Sequence, residues 1–499
     1  MIWIVRVLTA ALGLLAVLLA LVLAVRLFGR QAARIVLRRF TRRLFTDPYH
    51  ENLWETVTAI RRYGLQAVLE TELRAASGKE IYRPFGRFRT FPGFDDLLFD
   101  PAQLARLPTS EEVPVEMATV LGPRSARPLH IEIPLLITGM GYAVALSPKA
   151  KEALARGAAM AGTATNTGMG PLLPDERRLA RSLILQFNRG DWNKTSDILR
   201  LGDAIEIQLG QGAQAGIGFP VEAKDFPPEL RRAFGLQPGQ KETEFKNRMP
   251  GMEAATDLIP LVARLRRITD GVPIGVKMAA GDHLESDLMM AVLASVDYVQ
   301  LDGAEGGTQG SLPILADDFG LPTFLAVCRA HRFLAMIDPG MRPSLIISGG
   351  LSSPGHFLKA LALGADAVAI GSAALFALAH NQTSLAVPWE PPLTTVVYGQ
   401  PAARRLDVDK AAESLARFLA SVRKEMESAV RAVGKTSVHA VGRDDLMALE
   451  PWVADVAGVH LARAQREVLT GSSQAQPSSP DPATRSDVPF LRPQGRPQL

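Results

Sequence analysis

The chain has 499 residues, 47% hydrophobic and 21% charged, so it is long enough for two or three domains, or for one large barrel with additions, and apolar enough to fold. Its single cysteine excludes a disulfide framework, a cysteine-rich zinc site and a cysteine-held iron–sulfur cluster, and the spacing of its 8 histidines predicts no metal site. The first 46 residues carry eight arginines and no acid, which accounts for the net charge of +4, so we expect no nucleic-acid partner.

The N-terminal segment, residues 1–29, is predicted to be a transmembrane helix. Residues 7–25 carry no charge, and as a helix they would be about 28 Å long, close to the thickness of a bilayer core. A cleaved signal peptide is the alternative, but its apolar core is shorter and its charges precede that core. Six arginines between positions 30 and 43 predict a single-pass anchor in the cell membrane, with the rest of the chain on the cytoplasmic side.

A basic juxtamembrane segment and a helical or irregular lead-in are predicted over residues 30–129. Residues 51–76 have helical spacing, whereas residues 82–104 are interrupted by Pro and Gly. We expect the aromatic side chains of the second stretch to cover part of the domain that follows.

The region 130–384 alternates short apolar runs with Ala- and Leu-rich helical stretches, which predicts an α/β fold. Runs that are apolar throughout are typical of parallel strands covered on both faces. Eight such units in about 250 residues favour a (β/α)8 TIM barrel over a doubly wound sheet. The connection between the fourth and fifth strands, about 70 residues from start to start, is a candidate functional loop. The predicted strands are 133–138, 163–166, 183–187, 204–209, 273–278, 298–301, 344–348 and 367–371.

Two segments follow the predicted barrel. Residues 385–468 are expected to form a helical C-terminal extension, because residues 408–433 are strongly amphipathic. Residues 469–499 are rich in Ser, Pro, Gln and Arg and are predicted to be a disordered tail.

Glycine-rich segments follow the predicted strands, where the active site of a parallel barrel lies. The loops after the seventh and eighth strands, SGGL and GSA, are typical of the phosphate site of this barrel, where a helix N-terminus supplies free N–H groups. Lys277 ends the fifth strand, and a lysine with a buried stem there indicates a negative partner, such as the N1–C2=O edge of a reduced flavin. These features predict a phosphorylated cofactor or substrate.

An ordered series of segments resembles the FMN-binding synthase domain of glutamate synthase, and most of all the stand-alone proteins of that family that lack a glutaminase. The match covers roughly residues 130–380, with further similarity at 386–392 and 434–450. The segments are PLLITGMGYA, NTGMG, IQLGQGAQAG, VKM, DGAEGGTQGS, SGGL and GADAVAIGSA.

The resemblance implies an FMN-dependent oxidoreductase that acts on a CH–NH2/C=NH couple, reducing a 2-imino acid to an amino acid with hydride from FMN N5. Glutamate formation from 2-oxoglutarate and ammonia is the candidate reaction, and the electron donor is unknown. Lys277 would stabilise the reduced anion. The implied flavin ligands are Gly139, Met140, Gly141, Asn166, Thr167, Lys277, Gly349, Gly350, Gly371 and Ser372, and the implied ring or substrate contacts are Gln208, Gln211, Gly306, Gly307 and Thr308.

Three further residues are candidates because of their predicted positions alone. Glu305 and Asp302 are a candidate acid and base at the end of the sixth strand, and the alternative is that they accept backbone N–H groups of a Gly-rich turn. His283 lies near the predicted barrel mouth and is a candidate substrate contact.

The sequence also departs from the family pattern. It lacks the cluster cysteines after the eighth strand, so we expect no iron–sulfur relay, and it lacks a glutaminase domain. In the loop after the fourth strand, Gln208 and Gln214 replace two lysines and Ile217 replaces an acid, which removes positive charge from a loop expected near a dicarboxylate. Two alternatives stay open: a membrane-associated flavin dehydrogenase acting on another small acid with a quinone or protein partner, and a non-catalytic flavin-binding scaffold.

Overall fold

The N-terminal end of the structure is one long helix. This helix, α1 (Ile2–Thr46), leaves almost all of its described side chains exposed, and its apolar part has the length and mean hydropathy, 2.7, of a membrane-spanning helix. Two helices follow, α2 (Trp54–Tyr63) and α3 (Leu65–Ser77). The predicted tail lies outside the described residues. The computed structural model describes residues 2–83, 86–87, 89–307 and 310–464.

Eight parallel strands form the central sheet and confirm the predicted (β/α)8 barrel. They are hydrogen-bonded in the order β1-β8-β7-β6-β5-β4-β3-β2, and Thr163, just before β2, donates to the carbonyl of Leu135 in β1, so the sheet nearly closes. All but a few of their side chains are buried, as their continuous apolar runs predicted. The strands are β1 (Leu135–Ile137), β2 (Ala164–Asn166), β3 (Ser182–Phe187), β4 (Ala204–Gln208), β5 (Ile274–Ala279), β6 (Tyr298–Asp302), β7 (Ser344–Ser348) and β8 (Ala367–Ile370).

A short antiparallel hairpin closes the amino-terminal end of the barrel. Its strands, Thr119–Leu121 and Leu129–Ile131, place apolar side chains in one buried cluster with residues from the strand interiors. Tyr298 of β6 reaches over the neighbouring strand β5 to donate to the carbonyl of Ile205 in β4 at 2.9 Å, and Gly275 of β5 leaves room for its ring. The hairpin thus covers this end of the barrel, and the cavity described below lies at the other end, at the carboxyl ends of the strands.

Helices surround the barrel and continue into the C-terminal extension. The longest of them, α15 (Val408–Ala432), packs on α4 (Pro148–Met160), where Gly157 lets the two helices approach closely. The helices are α4 (Pro148–Met160), α5 (Pro174–Leu179), α6 (Ser196–Leu199), α7 (Pro228–Ala233), α8 (Leu258–Ile268), α9 (Leu284–Leu293), α10 (Pro313–Asp317), α11 (Thr323–Leu334), α12 (Pro354–Ala362), α13 (Ser372–Ala379), α14 (Pro401–Arg404), α15 (Val408–Ala432) and α16 (Pro451–Ala457).

The long connection between β4 and β5 is ordered. Its strands Phe219–Glu222 and Glu242–Phe245 form an antiparallel hairpin with α7 between them. Aromatic rings hold this hairpin against the barrel, with the Trp192 centroid 4.6 Å from that of Phe234 and 4.8 Å from that of Phe245. The connection therefore forms a fixed wall beside the barrel mouth.

The lead-in and the C-terminal extension meet in a three-stranded sheet that shares the core with the helices around the barrel. Strand Leu97–Phe99 pairs antiparallel with Leu446–Ala448, which also pairs with His460–Leu461. Residues from both ends of the chain thus share one small element.

Candidate functional site

A cavity of about 440 Å³ opens at the carboxyl ends of the barrel strands. This volume lies in the usual range for small-molecule sites, and the location is that of barrel active sites. The structure brings thirteen of the predicted site residues into its wall. They are Gly139, Met140, Gly141, Gln211, Lys277, Asp302, Glu305, Gly306, Gly307, Gly349, Gly350, Gly371 and Ser372.

Lys277 places a buried positive charge in this wall. The residue is only 2% exposed, and its Nζ donates to Thr138 Oγ1 at 3.1 Å. Among the described residues, no carboxylate oxygen lies within 4.0 Å of that ammonium. Because an uncompensated charge is costly to bury, this ammonium fits an electron-rich ligand in the cavity.

A chain of hydrogen bonds continues from Lys277 across three strands. Gln300 Nε2 donates to Thr138 Oγ1 at 3.0 Å and to Ser348 Oγ at 3.2 Å. Ser348 Oγ in turn donates to Asp302 Oδ1 at 2.9 Å. Sequence reasoning did not single out Thr138, Gln300 or Ser348. The signal that could have identified them is a polar residue at or near the end of a strand whose other residues are apolar.

Two carboxylates in the wall also hold neighbouring loops. Asp302 Oδ2 accepts the backbone N–H of Gly212 at 2.9 Å. Glu305 Oε2 accepts both the N–H and the hydroxyl of Thr323, each at 2.7 Å, at the start of α11. Both carboxylates therefore accept backbone N–H groups, while both still line the cavity.

Glycines let the loops after β1 and β2 pack backbone against backbone. A Cβ on Gly141 would lie 2.5 Å from the nitrogen of Gly170, and one on Gly168 (φ +64°) would lie 2.5 Å from the nitrogen of Gly141. A Cβ on Gly139 would lie 2.8 Å from Gln186 Nε2. These glycines are required by the contact between the two loops, in addition to any approach to a ligand.

The loops after β7 and β8 fit a phosphate group. Gly349 and Gly350 have φ of +120° and +69°, and a Cβ on Gly349 would lie 2.5 Å from Thr323 Oγ1. Gly371 directly precedes α13, whose first residue, Ser372, lines the same cavity. Free N–H groups at a helix N-terminus bind anions, so these backbones suit the phosphate predicted from the sequence.

Asn166 and Thr167 are fully buried and lie behind the cavity wall. Asn166 Nδ2 donates to Glu206 Oε1 at 2.9 Å, and Gln186 Nε2 donates to the same oxygen at 2.8 Å. Thr167 Oγ1 accepts the N–H of Gln186 at 2.9 Å. Both residues hold the β2 loop in place and do not line the cavity.

Three other predicted residues, Gln211, His283 and Thr308, do not share one location. Gln211 lines the cavity from the turn after β4, where its N–H donates to the carbonyl of Ala215 at 2.9 Å. His283 is exposed just before α9 and does not line the cavity. Thr308 lies outside the described residues. In the part of the chain that the structure describes, no group of His, Cys, Asp and Glu side chains is arranged to hold a metal ion.

The loop after β3 contributes a buried cation, Arg189, and a half-buried one, Lys194, that sequence reasoning did not identify. Arg189 Nε donates to Gln208 Oε1 at 3.2 Å, and burial lowers the pKa of Arg189 to about 10. Lys194 Nζ lies 3.4 Å from the centre of the Phe187 ring, and burial lowers its pKa to about 7. Gln208 is buried behind the wall, so its side chain positions Arg189 and does not line the cavity.

The C-terminal extension completes one side of the cavity. Leu393 lines it, and the residues that follow pair with the β1 loop. Ser147 N–H donates to the carbonyl of Val396 at 2.9 Å, and Tyr398 N–H donates to that of Ala145 at 3.0 Å. The site is therefore built from the barrel and from the extension together.

Comparison with known proteins relates this chain to glutamate synthases. The conserved region in glutamate synthase matches residues 96–436. A glutamate synthase large subunit-like protein of Rhizobium meliloti (strain 1021) is 35% identical over 412 residues, which are 78% of this chain and 92% of that protein. An archaeal-type glutamate synthase (NADPH) of Thermotoga sp. (strain RQ2) is 34% identical over 54% of this chain and 52% of that protein.

The chain thus spans nearly all of the Rhizobium relative and about half of the Thermotoga relative. Among solved structures, a mandelate oxidase mutant with the monooxide FMN adduct has a TM-score of 0.45 at 17% identity, over 70% of this chain and 87% of that chain. On the match over residues 96–436, which contains the whole barrel and the cavity at its mouth, the chain belongs to the glutamate synthase family.

Proposed function

We propose that the chain is an FMN-dependent oxidoreductase of the glutamate synthase type, which acts on a CH–NH2/C=NH couple. The observation that carries this proposal is the buried ammonium of Lys277, which faces the cavity with a single hydroxyl partner among the described residues. Membership of the glutamate synthase family supports the same reading. The candidate reaction is the formation of glutamate from 2-oxoglutarate and ammonia.

The residues around the cavity can hold the cofactor along its length. Gly371 and Ser372 at the start of α13, with Gly349 and Gly350 opposite, would bind the phosphate. The β1 loop, residues 139–141, would lie along the flavin ring. When bound, FMN supplies hydride transfer.

The side chains of the protein would contribute charge beside the flavin and would orient the substrate. Lys277 would hold a positive charge beside the flavin, where negative charge develops on reduction. Gln211, Glu305 and the glycines 306–307 would shape the substrate side of the cavity. The apolar wall that includes Leu393 would keep water away from the reacting atoms.

The test uses the full chain purified in detergent. We expect a yellow protein that releases FMN on denaturation and forms glutamate from 2-oxoglutarate and ammonia when supplied with reductant. Anaerobic reduction by NADPH, NADH and ferredoxin would identify the electron donor. A colourless protein that FMN does not reconstitute would contradict the proposal. Flavin bleaching by hydroxy acids alone would favour the alternative dehydrogenase.

We also propose that α1 anchors the enzyme in the cell membrane, with the barrel on the cytoplasmic side. The exposed apolar surface of α1 and the arginines that follow it support this topology. Membrane fractionation should recover the chain in the pellet, and added protease should cleave the barrel only after the cells are lysed. Cleavage in intact spheroplasts would reverse the orientation.

A further inference from the structure

The side chain of Thr138 is held in the cavity wall by contacts on several sides. Thr138 directly follows β1 and lines the cavity. Its backbone N–H donates to the carbonyl of Ile370, the last residue of β8, at 3.0 Å. Its methyl group lies beside Gly371, where a Cβ would be only 3.2 Å away. The hydroxyl on the same Cβ lies within hydrogen-bond distance of Lys277 and Gln300.

The carboxylate of Asp302 sets the direction of the hydrogen bonds that lead to Thr138. A carboxylate only accepts, so the hydroxyl of Ser348 donates to Asp302 Oδ1 at 2.9 Å, and the other acceptor near it is the carbonyl of Leu301 at 3.3 Å. Either bond uses the only proton of Ser348, so Ser348 Oγ accepts from Gln300 Nε2 at 3.2 Å. The nitrogen of the Gln300 amide therefore faces the two hydroxyls, and its second N–H donates to Thr138 Oγ1 at 3.0 Å.

Thr138 Oγ1 accepts two hydrogen bonds and keeps its own proton to donate. A hydroxyl has two lone pairs and one O–H, and Lys277 Nζ at 3.1 Å and Gln300 Nε2 at 3.0 Å occupy both lone pairs. No acceptor among the described residues receives the Thr138 O–H. Because Thr138 lines the cavity, this O–H is available to a ligand there. The ammonium that donates to Oγ1 also polarises the hydroxyl and makes its O–H a stronger donor.

We propose that Thr138 is a catalytic residue that donates a hydrogen bond to an acceptor atom of the bound flavin, a carbonyl oxygen or a ring nitrogen. The inference rests on the proposed function, because it takes the cavity to hold FMN. The flavin is favoured over the acid substrate because Gly139 and Gly371, which adjoin Thr138 in the wall, are both predicted flavin ligands. Negative charge develops on the flavin during reduction, so this hydrogen bond would be stronger to the reduced form. Gln300 acts through Thr138 and is a positioning residue.

The test measures the midpoint potential of bound FMN in the full chain purified in detergent, so that it does not depend on turnover. T138V keeps the branched shape and removes the hydroxyl, whereas T138S keeps the hydroxyl. We expect T138V to bind reduced FMN about 10-fold more weakly relative to oxidised FMN, which lowers the two-electron potential by about 30 mV. T138S should change the same ratio less than 3-fold. If the melting temperature of T138V falls, T138A and T138S, which differ only in the hydroxyl, make the same comparison.

Gln300→Leu tests the positioning role, and Thr165 provides the matched control. Q300L should change the ratio less than T138V does, and it should have no further effect in the T138V background. Thr165 is a fully buried threonine of β2 that does not line the cavity, and its hydroxyl has no hydrogen-bond partner in the described part of the chain. T165V should therefore leave the potential unchanged.

An unchanged potential in T138V, or equal shifts in T138V and T165V, would overturn the inference. An unchanged potential with weaker binding of 2-oxoglutarate would assign the Thr138 hydroxyl to the substrate and overturn it as well. Additive effects of Q300L and T138V would overturn the role of Gln300. A chain that FMN does not reconstitute would overturn both proposals, whereas a shifted potential without any glutamate formation would count against the proposed reaction alone.

Discussion

Individual side chains at the barrel mouth are linked through hydroxyl and amide groups. Lys277 and Asp302, of opposite charge, are joined through Thr138, Gln300 and Ser348. This series of hydrogen bonds fixes the orientation of each side chain in it, because every polar group is held by its neighbour. The ammonium is therefore oriented before any ligand arrives.

Substitution of Lys277 tests its role directly. We expect Lys277→Met to slow flavin reduction at least 100-fold, because the positive charge that favours the reduced form is lost, while FMN affinity falls less than 10-fold. Rapid-mixing measurements of reduction and fluorescence titration of FMN would separate the two effects. Lys277→Arg, which keeps the charge, should recover part of the rate. Equal losses of binding and reduction would assign Lys277 to binding alone.

The single cysteine should be chemically inert in the folded chain. Cys328 is fully buried in α11, and burial raises the pKa of its thiol to about 12. At pH 8 roughly one thiol in 10,000 is then ionised. We expect no reaction with a disulfide reagent over hours in native buffer and one thiol per chain in denaturant. Fast native labelling would show that α11 opens readily.

At the scale of elements, the loops after β1 and β2 act as one unit. Their glycines meet at distances that no side chain permits, with a Cβ on Gly141 2.5 Å from the nitrogen of Gly170. Movement of one loop therefore requires movement of the other. The wall along which the flavin is proposed to lie is rigid for this reason.

Gly141→Ala should destabilise the fold. The added methyl group overpacks the contact with Gly170, which typically costs about 1–3 kcal/mol in the free energy of unfolding. Gly281→Ala is the matched control, since nothing lies within 4 Å of its Cβ position in the loop after β5. Denaturant unfolding of the two variants should give a lower midpoint for Gly141→Ala only. A similar midpoint in both would mean that the loops adjust without cost.

The loop after β3 should make stability depend on pH. Lys194 has a folded pKa of about 7, below its ordinary value of 10.5, mainly because its half-buried ammonium is desolvated. The unfolded chain thus binds more protons between these two values, so the free energy of unfolding rises as the pH increases from about 7 to about 10. Each pKa unit corresponds to about 1.4 kcal/mol, so the rise is on the order of a few kcal/mol.

Lys194→Met should flatten this rise, whereas the same change at the exposed Lys241 should leave it intact. Denaturant unfolding at pH 7 and pH 9.5 measures the difference. An unchanged slope in Lys194→Met would place the titration in another group.

At the scale of the whole molecule, the N-terminal helix α1 and the barrel share few contacts. The described side chains of α1 are almost all exposed, so α1 contributes little to the buried core. The site instead depends on the lead-in and on the C-terminal extension, through Gly86 and Leu393. The barrel with these two extensions is the unit that carries the cavity.

Removal of residues 1–46 should therefore release a folded, soluble protein. We expect the shortened chain to stay in the supernatant after ultracentrifugation, with the FMN content and melting temperature of the full chain. Removal of residues 1–92 is the comparison, because it also deletes the contact of Gly86 with Gly307, and it should lower the melting temperature. Sedimentation of the first variant would show that another surface binds the membrane.

The barrel could be predicted from the sequence, because the strands of a parallel barrel are apolar along their whole length. Each of the eight predicted apolar runs forms a strand. The glycine loops were recognised, but their packing on each other was not, since Gly141 and Gly170 meet only in three dimensions. The hairpin before β1 and the chain through Gln300 were missed for the same reason. Both features depend on strand register and on pairing between segments that are distant in the sequence, and neither can be read from a single sequence.

The small sheet that joins Leu97–Phe99 to Leu446–Ala448 has a consequence for biosynthesis. The first strand leaves the ribosome roughly 350 residues before its partner, an interval of about 20–70 s at ordinary translation rates. The sheet between the two extensions forms only when translation is almost complete, so a chain terminated before residue 446 lacks it, and a chain terminated before residue 393 also lacks the Leu393 side of the cavity.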